Sequence, residues 1–338
     1  MADVAKRAGV SLSTVSYVLS GDRPISAATR ERVQQAMADL DFSPNVLARG
    51  LASQRSGIIA LLLPTDESEA DPFMAEIIVG AADAASRSDH HLLLWTEATI
   101  EATRLEKLTR QGLIDGALVL AVRLDDPRVS TLQTAGLPFT LIGRTADCTD
   151  IDYVDSDEIR AAELAIRHLA ELGHERIAFL GPPPSQLDGG YGIMVRVVDG
   201  LVAAAEAAGI EVTVHPCERS PAAGRSLVRH VLSSMPETTA AIVMNDPSIG
   251  GVLAGLDDAD HSVPGDFSLL GLFTTPMVAE LTSPRLTTVA PSAGQIGQLA
   301  AEALIAGLRS RDRTVRQELV SATLTIRDST ARRRVRLS

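Results

Sequence analysis

The stretch DVAKRAGVSLSTVSYVLSG, residues 3–21, decides how the rest of the chain is read. Val4, Ala5 and Ala8 share one face of a short first helix, and Gly9 releases the chain into a turn. Ser11 is placed to cap a second helix, with Val15, Val18 and Leu19 on its apolar face. The alanines let the two helices approach closely. A helix, a glycine-containing turn and a second helix make a helix–turn–helix, which offers its second helix to duplex DNA. Leu12, Ser13, Ser16 and Tyr17 are left facing outward. An outward leucine and tyrosine are odd on a solvated helix but suit base edges and sugars in a major groove. The bland alternative is a three-helix packing module. In it Gly21-Asp22-Arg23-Pro24 turns the chain, Ser26 caps a third helix, and Val33, Met37 and Leu40 form its apolar stripe.

Charge separates this head from the remainder of the chain. Residues 1–55 hold seven basic and five acidic side chains, a balance of +2. The whole chain stands at −12, which leaves −14 on the remainder. A net acidic protein argues against nucleic acid, but a basic head on an acidic body is drawn to phosphate at one end only. Between them, Ser43-Pro44 starts a short helix with serine as cap and proline at its first position. The segment NVLARGLAS carries Leu47 and Leu51, is weakened by Gly50, and is too short to hold without a packing partner.

From Gly57 onward strands and helices alternate. Apolar runs at Ile58–Leu63, Leu92–Trp95, Ala117–Val122, Phe139–Ile142, Ile177–Leu180, Val212–His215, Ala241–Met244 and Leu269–Leu272 read as strands. Helical patterns at Ala75–Ser86, Ile159–Leu172, Val197–Ala208 and Gly224–Leu232 lie among them. Continuous apolar strands separated by helices predict parallel sheets covered on both faces. So many units predict two doubly wound lobes, with a seam near Tyr153–Ser156. The length of 338 residues accommodates about two such domains. With 45% apolar and 22% charged residues the chain is globular, and 3% aromatic residues suit an α/β protein with closely packed helices.

Several classes are excluded. Cys148 and Cys217 are too few for a disulfide framework or a multi-cysteine zinc site. The N-terminus is charged where an export signal is apolar, and apolar runs fall far below the roughly 18 residues that span a bilayer. The expected location is the cytoplasm, with no membrane partner. No HExxH, GxGxxG, GxxxxGK[ST] or GxSxG pattern is present, so neither an enzyme nor a metal or other cofactor is expected. Gly189-Gly190-Tyr191-Gly192 reads as a flexible loop, and Asp66, Glu67 and Glu69 as a solvated one.

The sequence resembles the LacI/GalR (lactose-repressor) family of bacterial transcription regulators. The matching stretches are residues 3–21, ATRERVQQAMADLDFSPNVLARGL at 28–51 and SGIIALLLP at 56–64. They continue with DPFMAEII at 71–78, ELGHERIAFLGP at 171–182 and AIVMNDPSIGGVLAGL at 241–256. The last two are VPGDFSLLGL at 263–272 and PRLTTVAPSAGQIGQLAAEAL at 284–304. The resemblance covers nearly the whole chain in order. It implies a head at 1–43, a hinge helix and linker at 44–55, and an effector-binding and dimerisation body at 56–330; the tail ARRRVRLS at 331–338, short and basic, reads as a disordered end. It further implies a first lobe of about 56–154 plus 284–308 and a second of about 155–283 plus 309–330.

The resemblance also implies roles. Leu12, Ser13 and Tyr17 stand where the family reads bases, and Ser11, Thr14 and Ser16 where it holds phosphates. Asn45, Ala48 and Arg49 lie on the hinge helix, and Leu51 matches a leucine that wedges into the minor groove at the operator centre. Two positions depart from the family pattern. Only Met1 and Ala2 precede Asp3, where a phosphate-contacting threonine is common, and Tyr17 stands where many members carry arginine. Partners implied are operator DNA, a second copy of the chain and a small-molecule effector; the tail lacks a heptad zipper, which favours a dimer.

The body resembles periplasmic sugar-binding proteins, with a ligand cleft between its lobes. Phe73, Met74, Asn245 and Phe273 stand at pocket positions of the family. Val197 occupies the place of a family arginine, and a one-residue slip would bring in Arg196. Gly143 and Phe273 replace two aspartates common in sugar binders. Sugars need several directed hydrogen bonds to replace water. A cleft with few carboxylates therefore favours an effector less polar than a simple neutral monosaccharide, or none. Competing readings are a transporter's solute-binding protein, which the missing export signal and the basic head oppose, and a sugar-active enzyme, which lacks a nucleophile or acid–base pair.

Overall fold

A computed structural model describes residues 1–20, 23–41, 56–64, 71–96, 107, 111–310 and 314–334. Three helices form the head: α1 (Ala2–Ala8), α2 (Leu12–Ser20) and α3 (Ala27–Asp39). Gly9 ends α1 in the left-handed region at φ 64°, a conformation glycine adopts without a Cβ penalty. Ser11 caps α2, its Oγ accepting the Thr14 N–H at 3.1 Å, and Ser26 caps α3 in the same way from Thr29. Val4, Ala5, Ala8, Val15, Val33 and Ala36 make one small core, with Val10, Val18 and Met37 packed against it. Leu40 does not join the stripe expected of it. The helix ends at Asp39, the Leu40 backbone leaves helical geometry, and its side chain is exposed.

The body begins with β1 (Ile58–Leu63), α4 (Pro72–Arg87), β2 (His91–Thr96), β3 (Gly116–Val119), α5 (Pro127–Ala135), β4 (Phe139–Ile142) and β5 (Tyr153–Ser156). It crosses to a second lobe of α6 (Glu158–Glu171), β6 (Arg176–Gly181), α7 (Pro184–Asp188), α8 (Gly192–Ala208), β7 (Glu211–Pro216), α9 (Pro221–Ser234), β8 (Ala240–Val243), α10 (Asp246–Asp257), β9 (Ser268–Leu272), α11 (Pro276–Leu281) and β10 (Thr287–Ala290). It returns to the first lobe with α12 (Ala293–Arg309) and β11 (Gln317–Val320), then closes on the second with β12 (Thr323–Thr325).

The first sheet runs β11-β5-β4-β3-β1-β2 and the second β12-β10-β9-β8-β6-β7. Neighbouring strands in both sheets are parallel, except β10 with β12. Central strands are buried along their length, β3 and β8 at every residue, because helices cover both faces. The chain changes lobes around residues 157, 291–292 and 321–322. This corrects the boundaries expected from the sequence. The strand 287–290 belongs to the second sheet rather than the first, and 317–320 to the first rather than the second. Tyr153–Ser156 is itself a strand of the first sheet, and the seam lies just after it.

Close helix approach explains the scarcity of aromatics. A Cβ at Gly297 would collide with the carbonyl of Ile77, and one at Gly80 with the carbonyl of Gly294, so α4 and α12 touch backbone to backbone. Residues 331–334, part of the stretch expected to be disordered, are held in place. The Ala331 N–H donates to Ser268 Oγ at 3.1 Å and the Arg333 N–H to the Leu172 carbonyl at 2.9 Å, which holds residues 331–334 on the second lobe. No described helix is long and apolar enough to cross a membrane.

Candidate functional site

Two regions gather the residues singled out from the sequence. The first is α2. Leu12 is 54% exposed at its start, and Ser11 and Ser13 are exposed beside it. The hydroxyl of Ser11 lies 2.8 Å from those of both Ser13 and Thr14, a cluster of polar groups at a helix N-terminus. Such a terminus offers unpaired N–H groups and a partial positive charge to an anion. Tyr17 and Ser16 are only partly exposed, which corrects the fully outward reading. The Arg23 guanidinium lies over the Tyr17 ring, 4.9 Å from its centre, because a cation is drawn to the negative face of an aromatic ring. Asn45, Ala48, Arg49 and Leu51 lie outside the described residues, as do Asp66, Glu67, Glu69 and the Leu19 side chain.

The second region is the cleft between the lobes, a cavity of about 120 Å³ at the carboxyl ends of both sheets. Phe73, Met74, Asn245 and Phe273 all line it. Phe73 reaches it because Asp71 caps α4, accepting the N–H groups of Phe73 and Met74, with Pro72 at the first helical position. Phe273 follows β9 and meets Phe73 across the seam, ring centres 5.6 Å apart and planes at 83°. Asn245 ends the β8 segment and is 3% exposed; its Nδ2 donates to the carbonyls of Cys217 at 2.8 Å and Glu218 at 3.3 Å.

Arg196 is not brought into the cleft lining. Val197, the next residue, is fully buried in the second-lobe core, and the helical turn between them leaves Arg196 on the lobe seam. There its Nη2 donates to Asp155 Oδ2 at 3.0 Å and its Nη1 to the Arg144 carbonyl at 3.2 Å. Arg144 donates to the same Asp155 oxygen at 2.9 Å and to Glu158 Oε2 at 2.7 Å. Two arginines and two acids, drawn from both lobes, thus flank the first crossover. Burial, with Asp155 adding to it, raises the pKa of Glu158 to about 7 against the pull of both arginines. Asp155 also lines the cleft, so Arg196 sits one residue behind it.

Sequence reasoning missed the polar side of the cleft. Asp71, Asp155, Asp246 and Arg219 all line it, so carboxylates are not scarce there. Arg219, in the loop after β7, donates to Asp71 Oδ2 at 3.2 Å and bridges the lobes. Asp246 Oδ1 accepts from Thr274 Oγ1 at 2.7 Å, and burial pushes its pKa up to about 6. Asp246 was legible beside Asn245 in the stretch 241–256; Arg219, in a loop without a motif, was not. The 189–192 loop is also more than a flexible connection. Gly192 N–H donates to the Val122 carbonyl and Leu124 N–H to the Gly190 carbonyl, so Arg123 and Tyr191 form an antiparallel bridge between the lobes.

Known proteins share this arrangement. Residues 1–45 match bacterial regulatory proteins of the lacI family, and residues 166–330 match a periplasmic binding protein-like domain. The HTH-type transcriptional regulator CelR of Thermobifida fusca is 31% identical over 310 residues, 89% of each chain. The ribose operon repressor of Escherichia coli K12 is 28% identical over 318 residues, 90% of this chain and 92% of its own. A solved complex of the regulator CelR with cellobiose superposes with a TM-score of 0.71 at 28% identity, covering 97% of this chain and 98% of the other. Those relatives are transcription regulators, not enzymes. With a helix–turn–helix head on a two-lobed cleft and a relative of this identity along most of its length, the chain belongs to the LacI family of bacterial regulatory proteins.

Proposed function

We propose that this chain is a sequence-specific transcriptional repressor that binds a pseudo-palindromic operator as a homodimer and is modulated by a small molecule in the interlobe cleft. The observation that carries the reading is Leu12, exposed on a capped helix whose N-terminal hydroxyls cluster beside it. In the groove, Leu12, Ser13 and Tyr17 read base edges, while Ser11, Thr14 and Ser16 hold phosphates. Residues 44–55 form the hinge, in which Asn45, Ala48 and Arg49 approach the minor groove and Leu51 wedges a base step apart. DNA and the partner hinge supply the packing that so short a helix lacks.

A two-fold dimer calls for a two-fold site. Val79 and Met277, both exposed, line one groove along α4 that a second copy would cover. The CelR–cellobiose complex supports a small molecule in the cleft. Such a ligand shifts the equilibrium between lobe arrangements only through its different affinity for the two. The setting is the cytoplasm, where operator DNA lies. Selection of bound duplexes from a randomised library, at moderate salt and with or without metabolites, tests the reading. A dyad-symmetric sequence should be enriched; no preference over random competitor would sink it.

A further inference from the structure

The segment read as the hinge enters the body at Ser56 and Gly57, and one half-buried side chain holds that entry. Asp115 Oδ1 accepts the Ser56 N–H at 2.8 Å and the Ser56 hydroxyl at 3.1 Å, and its Oδ2 accepts the Gly57 N–H at 2.7 Å. Hydrogen bonds to an ionised acceptor are roughly twice as strong as neutral ones, and three donors on two oxygens fix direction as well as distance. Backbone bonds tighten the grip. The His91 N–H donates to the Gly57 carbonyl at 2.8 Å, and the Asp115 N–H to the Ile58 carbonyl at 2.8 Å. Gly57 meets these partners at φ 69°, a left-handed conformation that suits glycine.

Asp115 is also the residue that leads into β3, and the far end of β3 is the cleft. The strand is buried at every residue between β1 and β4, and Leu120, Ala121 and Val122 follow it along the cavity wall. Arg128 of α5 pins that end, its Nη1 donating to the Leu120 carbonyl at 2.9 Å and its Nη2 to the Ala121 carbonyl at 2.7 Å. Buried Asp126 accepts from Arg128 Nε at 2.9 Å and from the Arg123 N–H at 3.1 Å. Arg123 Nη2 in turn donates to the hydroxyl of Tyr191, in the second lobe, at 3.1 Å, beside the backbone bridge that joins the lobes. One close-packed strand thus has the second lobe attached at one end and the hinge entry at the other, and a close-packed interior transmits strain rather than absorbing it. We infer, resting on the reading of residues 44–55 as the hinge, that Asp115 is a positioning residue for operator binding, which sets where the hinge leaves the body and receives the position of the second lobe through β3. It acts through Ser56 and Gly57 and touches no DNA itself.

The test titrates the full-length protein against the duplex that the wild type selects from a randomised library and against a random duplex of the same length. Wild type, Asp115→Ala, Asp115→Asn, Arg123→Ala and the double variant Asp115→Ala/Arg123→Ala are compared, with thermal unfolding of each. Asp115→Ala should weaken binding to the selected duplex about tenfold or more and leave the random duplex within about twofold. Asp115→Asn, which keeps the shape and one acceptor oxygen, should fall between. If Asp115→Ala does not fold, Asp115→Asn carries the same comparisons. Arg123→Ala should shift affinity for the selected duplex by about fivefold or more in the wild-type background, and by no more than about twofold once Asp115 is lost. Separated sites that act independently would give the same factor in both backgrounds. A merely structural role lowers binding to both duplexes together through loss of folded protein. An unchanged ratio between the duplexes, the same Arg123 factor in both backgrounds, or no Arg123 effect would each overturn the inference. A wild type that selects no duplex overturns the operator reading and this inference with it; a selected duplex that the Asp115 variants bind like the wild type overturns this inference alone.

Discussion

Phe73 of the first lobe meets Phe273 of the second edge to face, with ring centres 5.6 Å apart. Both were singled out from the sequence as cleft residues, but only the folded chain makes them partners. They bridge the seam beside the Asp71–Arg219 ion pair, so an apolar and a charged contact between the lobes lie side by side at the cleft. A double-mutant cycle with Phe73→Ala and Phe273→Ala should return a coupling of about 0.5–1.5 kcal/mol in urea unfolding. Strict additivity of the two losses would deny the contact.

On the head, Leu12→Ala should leave the melting temperature nearly unchanged, because the side chain is more exposed than buried. Operator binding should fall while nonspecific binding holds. Tyr17→Ala should relax preference at one or two base pairs, by about 1–3 kcal/mol each. It also frees the Arg23 guanidinium that lies over the ring. Leu51→Ala should weaken operator binding with little change on random DNA; equal loss on both would count against the wedge. Library selection with each variant reads these outcomes directly.

At the first crossover, Arg196→Leu leaves the fully buried Glu158 with Arg144 as its remaining basic partner. Glu158 titrates at about 7, raised mainly by burial, so above that pH the folded protein holds a carboxylate that needs both arginines. Below it the protonated form needs them less. A group with a raised folded-state pKa favours the folded state at low pH, and that contribution is lost as pH rises through about 7. Removing Arg196 should therefore cost more at pH 8 than at pH 6, on the order of 2–4 kcal/mol at the higher value after allowance for its partial exposure. Urea midpoints at the two pH values decide it; an equal loss at both would contradict the role given to Glu158.

Where α4 crosses α12, Gly297→Ala should destabilise by about 1–3 kcal/mol, since its Cβ would collide with the Ile77 carbonyl. Gly294→Ala is the contrast, because the nearest atom to its Cβ is the Glu76 carbonyl oxygen at 3.8 Å. That change should stay within about 0.5 kcal/mol. Thermal unfolding of both variants side by side separates close approach from any general effect of losing a glycine.

What the chain determined on its own was local. Period-3.6 and continuous apolar runs placed α2, α4, α6 and eight strands, β1–β4 and β6–β9, because burial on one face or both leaves a pattern in the sequence. Strands β5, β10, β11 and β12 were not legible. They are three or four residues long and interrupted by threonines, acids or glutamine, so they present no continuous apolar run. The same limit applied to the cleft. Phe73, Met74, Asn245 and Phe273 were found by their place in recognisable stretches, but no periodicity announces a loop residue such as Arg219. Arg196 shows the reverse case: one step of helix rotation turned a candidate ligand contact toward Asp155 and Glu158 at the seam. Sequence settled which residue types were present near the strand ends; only packing of one lobe against the other decided which of them face the cavity and which hold each other, because contacts between distant segments follow from the register of two sheets and not from neighbours along the chain.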